Sequence, residues 1–416
     1  MKNKIVCALF GLAAFALAGG ASADEPDGLQ LQPGFRATVV ATGIEGARHL
    51  AVNGKGDIYV STARGGPGGI VALRLGKDGT VAETVRFGKI DGGTGIRFYG
   101  GDLYTTSRTG IYRFKFKGGS LTPVGDPDLI VDGMPANGQA NRPISFDSKG
   151  RLLVAVGGSG NICAGPVAQG AKPVGNSPCA DLNTRAGVWR FDRNKLNQSF
   201  LKDGEKVATG VRDAGSLDTR KGDSVFIILQ GRNDTNRYWP DLVSAQEDNN
   251  NVAEEMHRVV DGADFGWPYT YYDDARKIRL QALEYGGDAK TPVTTGYSTP
   301  AQSFPGHSSG MDLMFYYGRQ FPKQYQGGAF IAFHGAVGAP IPGGRNGYYV
   351  AFVPFDKDGK PGQPVKFIDG FAGPLPDDRN AAGSAYRPIG LATAPNGALY
   401  VADSKTGKIW RITYAP

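Results

Sequence analysis

Cysteine and histidine are scarce in this chain, at three and four residues among 416. No third or fourth Cys or His stands near the one close cysteine pair, so a metal or redox cluster is not expected there. Beyond residue 18 no apolar run approaches the length of a membrane span, so no anchor of that kind is expected. There is no Lys/Arg run and no nucleic-acid motif, so nucleic acid is not an expected partner. No Pro/Gly/Ser linker divides the chain, which points to one domain. The glycines lack the every-third-residue period of collagen.

What the chain does have is 63 glycines and 26 prolines, about a fifth of its residues where about 12% is usual. Glycine costs backbone entropy inside helices and proline breaks them, which excludes a helical bundle or coiled coil. Apolar residues at 40% and aromatics at 10% suffice for a large core, which excludes low-complexity disorder. A folded, turn-rich, mostly β protein remains.

The first residues read as a secretory signal. Lys2 and Lys4 precede an apolar run over residues 5–18, and Ala21, Ser22 and Ala23 supply a small-residue cleavage pattern. Cys7 lies too early to be a lipidated first residue of the mature chain. The expectation is a periplasmic or secreted soluble protein, with residues 1–23 as signal and 24–416 as a single domain. Of 46 Lys and Arg, losing Lys2 and Lys4 leaves 44 against 39 acidic residues, a mild net charge of +5. Such a balance reads as a solvated surface with a slight preference for anionic ligands.

Loss of Cys7 with the signal leaves Cys163 and Cys179, which flank a loop rich in Gly, Pro and Asn. In an oxidising compartment this pair is expected to form a disulfide. Closing such a loop stabilises by roughly 3 kcal/mol in the chain-entropy model.

Three segments share one grammar: residues 49–60, 143–154 and 388–401. Each is a short apolar strand, a polar turn ending in Gly (Gly56, Gly150, Gly397), then a second strand. Third strands follow at 69–73, 187–191 and 408–412, and weaker copies occur at 96–114, 207–229 and 328–355. About six units of three or four strands predict an all-β, six-bladed β-propeller. A pair of β-sandwich domains is the competing architecture. Propellers close by pairing strands from the two termini, and residues 30–41 are expected to supply the partner of the last strand.

Several stretches go beyond fold: Gly210-Val-Arg-Asp213; the Glu-Glu-x-x-x-x-x-x-Gly-x-x-x-Gly-Trp-Pro pattern from Glu254 to Pro268; residues 316–330; Phe333-His-Gly335; and Tyr386-Arg-Pro388 before the last blade. Together they resemble the soluble quinoprotein glucose/sorbosone dehydrogenase family, and its sorbosone dehydrogenase-like branch most. Those are six-bladed propellers that hold pyrroloquinoline quinone (PQQ) and calcium and oxidise sugars or sugar aldehydes. The resemblance implies a periplasmic oxidoreductase acting on a sugar, sugar aldehyde or related alcohol, with a periplasmic electron acceptor.

No side chain accepts a hydride, so a cofactor must carry the electrons. PQQ bears three carboxylates, which guanidinium forks pair well. Calcium polarises a carbonyl and takes oxygen ligands, and a general base takes the hydroxyl proton. By the resemblance, Arg212 contacts the quinone, Arg387 a cofactor carboxylate, and Arg142 follows the catalytic base. Arg232 falls by the calcium loop, with Asp234 and Glu255 as acidic metal candidates.

The sequence also departs from the family. Where the base is usually His, three residues before Arg142, this chain has Gln139, which cannot accept a proton at neutral pH. After Phe333-His-Gly335 the usual Ser-Trp-Asn-Arg is replaced by Ala336-Val-Gly-Ala339, with Arg345 the nearest cationic substitute. Residues 246–251 are unusually rich in amides. Three readings stay open: a working PQQ dehydrogenase with a substituted base, His307 or His334; a propeller that binds a sugar or cofactor without turnover; and a calcium-dependent lactonase-type propeller. Of the other histidines, His49 reads as packed in a strand and His257 as a solvated or capping group. Tyr269, Tyr271, Tyr272, Tyr316 and Tyr317 read as blade-packing aromatics, with stacking on sugar rings as the alternative.

Overall fold

The computed structural model describes residues 26–62, 68–90, 92–221, 224–337 and 341–415. The expected signal segment, Gly65 to Pro67 and Ala339 lie outside them.

The predicted hairpins form where their turns require them. Residues Ala47–Val52 pair antiparallel with Ile58–Thr62, Ile144–Phe146 with Leu152–Val156, and Pro388–Thr393 with Leu399–Asp403. Gly56 and Gly397 sit in the turns at φ +90°, a region costly for residues with a Cβ.

Six antiparallel blades follow in chain order. Blade one is Ala47–Val52, Ile58–Thr62, Ile70–Leu75 and Val81–Phe87; blade two is Gly92–Tyr99, Asp102–Ser107, Ile111–Phe114 and Asp128–Asp132. Blade three is Ile144–Phe146, Leu152–Val156, Gly187–Phe191 and Glu205–Thr209. Blade four is Ala214–Arg220, Ser224–Leu229, Glu254–Val259 and Gln302–Phe304. Blade five is Gly310–Phe315, Ala329–Phe333, Tyr349–Val353 and Val365–Asp369, and blade six is Pro388–Thr393, Leu399–Asp403, Ile409–Tyr414 and Phe35–Ala41. The first strand of each blade packs against the first strands of both neighbours, so the ring closes around an axis. The fold is a six-bladed β-propeller, as the repeat predicts.

Two expectations about boundaries resolve differently. Of the expected partner segment 30–41, Phe35–Ala41 pairs with the last strand, Phe35 opposite Tyr414, whereas Gln30 and Leu31 pair with Val365–Asp369 of blade five. The unit at 207–229, however, straddles a border: Val207 belongs to the outer strand of blade three, and blade four begins at Ala214. Sequence similarity sees strand–turn–strand and cannot tell an outer-to-inner step from a hairpin.

The core is divided as a propeller requires. Among the described residues, six large apolar clusters each lie between neighbouring blades. Successive side chains on a strand point to opposite faces. Ile58 and Val60 therefore pack toward blade six, while Tyr59 between them packs toward blade two. Strands such as Ile58–Thr62 and Leu152–Val156 are buried at every position because both faces are covered. Each fully buried aliphatic or aromatic side chain there contributes about 1.5–3 kcal/mol.

Polar groups tie the inner strands across the axis. Arg97 of blade two donates to the carbonyls of Leu217 and Leu313 in blades four and five and lies 3.6 Å from Asp312. Asp312 in turn accepts from Ser216 Oγ at 2.8 Å and the Leu391 N–H at 2.8 Å. The aromatics of stretch 269–272 and Tyr316 pack as expected: Tyr271, Tyr272 and Tyr316 are buried, and Tyr316 stacks on Phe321 at 4.6 Å.

Candidate active site

In an antiparallel blade, the start of the first strand and the turn from second to third strand lie at the same end. The expected site residues fall in those two sets of positions. Arg48 opens the first strand of blade one, Asn141 and Arg142 precede that of blade three, Arg212 and Asp213 that of blade four, His307 that of blade five and Arg387 that of blade six. His334 follows the second strand of blade five, and Arg232 that of blade four. Seven stretches of chain thus come to the same end of the propeller.

Arg212 is 8% exposed, and its Nε donates to Asn161 Oδ1 at 3.1 Å. Its terminal nitrogens have no acceptor among the described residues. Asn161 is placed by the predicted disulfide: Cys163 and Cys179 are bonded, and the Cys179 N–H donates to Tyr269 Oη. Asn161 also exchanges hydrogen bonds with the backbone of Asn233, both at 2.8 Å. Asn161, two residues before the disulfide-closed loop, therefore holds Arg212.

Asp213 accepts from Asn141 Nδ2 at 3.1 and 3.2 Å. Burial pushes its carboxyl above the usual range, against the charges of Arg212 and Arg142 and the Asn141 hydrogen bond. Arg48 faces Asp213 across the axis; burial pulls Arg48 down to about 10, Asp213 opposes this, and the charge of Arg387 adds to it. Arg387 donates through Nε to the His334 carbonyl at 3.2 Å and sits 5.8 Å over the Tyr348 ring. Arg48 thus stands between Arg387, whose charge acts on it, and Asp213, which sits beside Arg212.

Arg142 is different. It is fully buried and donates to the carbonyls of Arg108, Gln139, Asn141 and Pro135 at 2.6–3.2 Å. It does not reach the opening, contrary to expectation; it fixes the loop that carries Gln139 and Asn141. Arg232 pairs with buried Glu284 and lies 5.4 Å over Trp239. With Arg212, Gln230, Glu255, Trp267 and Tyr271 it lines a cavity of about 30 Å³, room for a water.

Gln139 is half-buried, and its N–H donates to the Gly158 carbonyl at 3.0 Å. A Cβ on Gly157 would lie 2.8 Å from Gln139 Cβ, 2.5 Å from the Arg212 carbonyl and 3.2 Å from Asp213 Cα. Only glycine lets these three segments close on one another. Gly335, by contrast, is required by Tyr348, whose ring lies 2.4 Å from where its Cβ would stand.

The histidines divide. His307 has both ring nitrogens buried without a partner; burial pulls its pKa below 6.5, with Asp248, Arg345, Arg212 and Asp234 the charges around it. His334 Nε2 lies 2.7 Å from Ser404 Oγ, and burial with the charges of Arg387 and Arg48 holds it well below 6.5. Both are neutral imidazoles at pH 7. His49 is packed as expected, 2.7 Å from the Met311 carbonyl. His257 is not solvated: it is 1% exposed and bonds Glu255 at 2.9 Å.

The acidic metal candidates do not converge. Asp234 is exposed at the start of Thr235–Tyr238. Glu255 is spent on Arg279 at 2.6 Å and on His257. Its neighbour Glu254 is the carboxyl in the electrostatic reach of Arg212 and Asp213, and burial pushes it up to about 8. Side-chain alternation along one strand decides between the two. Among the described residues no three His, Cys, Asp or Glu side chains form a metal set.

Arg48, Asp213, Asn161 and Glu254 were not singled out from sequence. A signal existed for two of them: aligning the repeats on their first strands puts Arg48 beside Arg142, Arg212, Asp213 and Arg387.

The TrAA12-like family model matches residues 29–415. The chain belongs to the TrAA12-like family. The placement in a sorbosone-type branch rests on the sequence motifs alone. This TrAA12-like chain is similar to the holo form of the pyranose dehydrogenase PQQ domain of Coprinopsis cinerea, at 17% identity and TM-score 0.70, over 92% of this chain and 97% of that one. It is similar to a calcium structure of a carbohydrate-active enzyme of family AA12 from Trichoderma reesei, at 17% identity and TM-score 0.74, over 93% and 97%. It is also similar to the PQQ-bound aldose sugar dehydrogenase of Streptomyces coelicolor, at 15% identity and TM-score 0.59, over 92% and 99%. At such identities these likenesses concern the fold. An uncharacterized protein of Borreliella burgdorferi is 28% identical over 151 residues, and the match spans 36% of the length of each chain.

Proposed function

We propose that this TrAA12-like chain is an oxidoreductase that oxidises a sugar, sugar aldehyde or related alcohol with PQQ held in the propeller mouth. The observation that carries the reading is the convergence of Arg48, Arg212 and Arg387 in a buried opening, with terminal nitrogens of Arg48 and Arg212 uncommitted among the described residues. Like charges crowded and desolvated in this way call for a polyanion between them. A tricarboxylate quinone fits that demand and supplies the hydride acceptor that side chains lack. Arg232, paired with Glu284, and Arg142, spent on backbone, serve as supports.

Calcium fits only as a cation held by neutral oxygens. The amide oxygens of Asn249 and Asn251 are buried without a donor, and hard cations take such ligands. Asp234 and Glu255 are not assigned to it. Residues 24–416 read as one domain, supported by the ring closing between Phe35–Ala41 and Ile409–Tyr414. The basic start and small-residue cleavage pattern support export to the periplasm, where a periplasmic acceptor takes the electrons. No helix among the described residues is long and apolar enough to cross a membrane.

The test adds PQQ with Ca²⁺ to purified protein and follows cofactor absorbance, then dye reduction across a panel of aldoses and sugar aldehydes. Replacing Arg48, Arg212 or Arg387 singly by Met is expected to weaken PQQ binding at least tenfold. Absence of PQQ binding by the wild type refutes the reading. A second reading, a binding propeller without turnover, is favoured by the amide of Gln139 and predicts binding with no dye reduction.

A further inference from the structure

Gln139 occupies the place of a base yet has none to offer, and Gly157 brings its Cβ, the Arg212 carbonyl and Asp213 Cα against one another. The ionisable group at that junction is Asp213. We propose that the Asp213 carboxylate is the proton acceptor of this site; the assignment rests on the oxidoreductase reading above.

Geometry places it there from three directions. Asp213 stands immediately before the first strand of blade four, next to Arg212. Asn141, two residues after Gln139, reaches both of its oxygens with Nδ2. That contact fixes the carboxylate and leaves each oxygen lone pairs to accept a proton. Neither histidine is among the groups that act most strongly on Asp213. His334 is hydrogen-bonded to Ser404 beside Arg387, and His307, its ring nitrogens without a partner, faces Asp248 and Arg345 with Arg212 also in reach.

The charged groups facing Asp213 are Arg48 from blade one, Arg142 from the loop before blade three, and Arg212 and Glu254 from blade four. Burial outweighs the cations and leaves Asp213 more basic than an exposed aspartate. In the reaction the substrate O–H proton passes to an Asp213 oxygen, the carbinol hydrogen leaves with its electron pair to the bound quinone, and the alcohol carbon becomes a carbonyl. Arg212, beside it, holds the oxygen that loses the proton.

The experiment compares the wild type, Asp213→Asn, Asn141→Ala, and Asp213→Asn combined with Gln139→His. PQQ affinity is read by absorbance, turnover by dye reduction from about pH 4 to 9, and the carboxyl C=O stretch of cofactor-free protein by infrared difference over the same range. Asp213→Asn is expected to bind PQQ at least as tightly, since it removes a negative charge facing the same arginines, while turnover falls at least about 100-fold. Asn141→Ala removes a hydrogen bond that favours the charged form, so the acid limb of the pH profile moves up with turnover retained. Gln139→His in the Asp213→Asn background restores part of the turnover, with an acid limb near about 6.5. The infrared difference between wild type and Asp213→Asn is expected to show one carboxyl titrating above about pH 4. PQQ binding retained with Asp213→Asn turnover within threefold of wild type overturns this assignment alone, as does an acid limb unmoved by Asn141→Ala or an infrared difference with no titrating carboxyl. A wild type that binds no PQQ overturns the oxidoreductase reading and this assignment with it.

Discussion

Asp27 is where the N-terminal segment is fastened to the last blade, and its removal tests whether ring closure depends on that clasp. Its Oδ1 accepts from Lys408 Nζ at 2.6 Å and Tyr386 Oη at 3.0 Å, and its Oδ2 from Trp410 Nε1 at 2.8 Å. Asp27→Ala leaves the indole N–H of the fully buried Trp410 without an acceptor, which costs about 1–3 kcal/mol. Loss of the partly exposed Lys408 pair adds about 1 kcal/mol, and the Tyr386 hydroxyl turns to water. The sum of about 2–4 kcal/mol corresponds to a fall of roughly 2–5 °C in Tm for a domain of this size. The pH dependence has a fixed sign. Burial works against it, but the three hydrogen bonds hold the Asp27 carboxyl below its usual range. A depressed acid contributes fully above its unfolded value of about 3.9, and the contribution is lost as pH falls through the folded value. Lys408 is raised by the same contact, against its burial, so its share persists up to about pH 10. Melting followed by circular dichroism should therefore show the full deficit at pH 7 and a smaller one near pH 3. A Tm within 1 °C of wild type at pH 7, or a deficit unchanged at pH 3, would falsify the account.

Further expectations follow from the same structure. Glu254 is a buried acid pushed up to about 8, so the folded state holds its proton longer than the unfolded state and stability falls as pH rises from about 4 to 8. Glu254→Gln should flatten that decline, with melting temperatures equal near pH 4 and the variant higher near pH 8. Cys163→Ser should cost roughly 3 kcal/mol, and wild type treated with reductant should melt with it. Because Asn161 lies two residues before Cys163, the reduced protein should also bind PQQ more weakly. Gly335→Ala must hold φ near +87° with its Cβ against the Tyr348 ring, so a loss of about 2 kcal/mol or more is expected from denaturant titration.

Much of this protein was legible in its amino acids because hairpins are local. A polar turn ending in Gly between two apolar runs folds on itself, so the repeats at 49–60, 143–154 and 388–401 announced blades without knowledge of the rest. The Cys163–Cys179 bond followed from compartment and spacing, and the pairing of Phe35–Ala41 with the last strand from the closure propellers need, though Gln30 and Leu31 went to blade five. The errors lie where a residue's role depends on direction or on distant partners. Glu255 and Glu254 are adjacent in sequence, yet one is locked to Arg279 and the other faces the mouth, and only the pleat of the assembled blade separates them. Arg142 carries the charge expected of a cofactor ligand, but four backbone carbonyls take it up once its loop closes. Arg48 gave no motif at all; it meets Asp213, 165 residues along the chain, because blades one and four stand opposite in the ring. Local backbone preference and burial pattern determined the blades. Closure of the ring alone decided which charges are forced together out of water, and hence where chemistry is done.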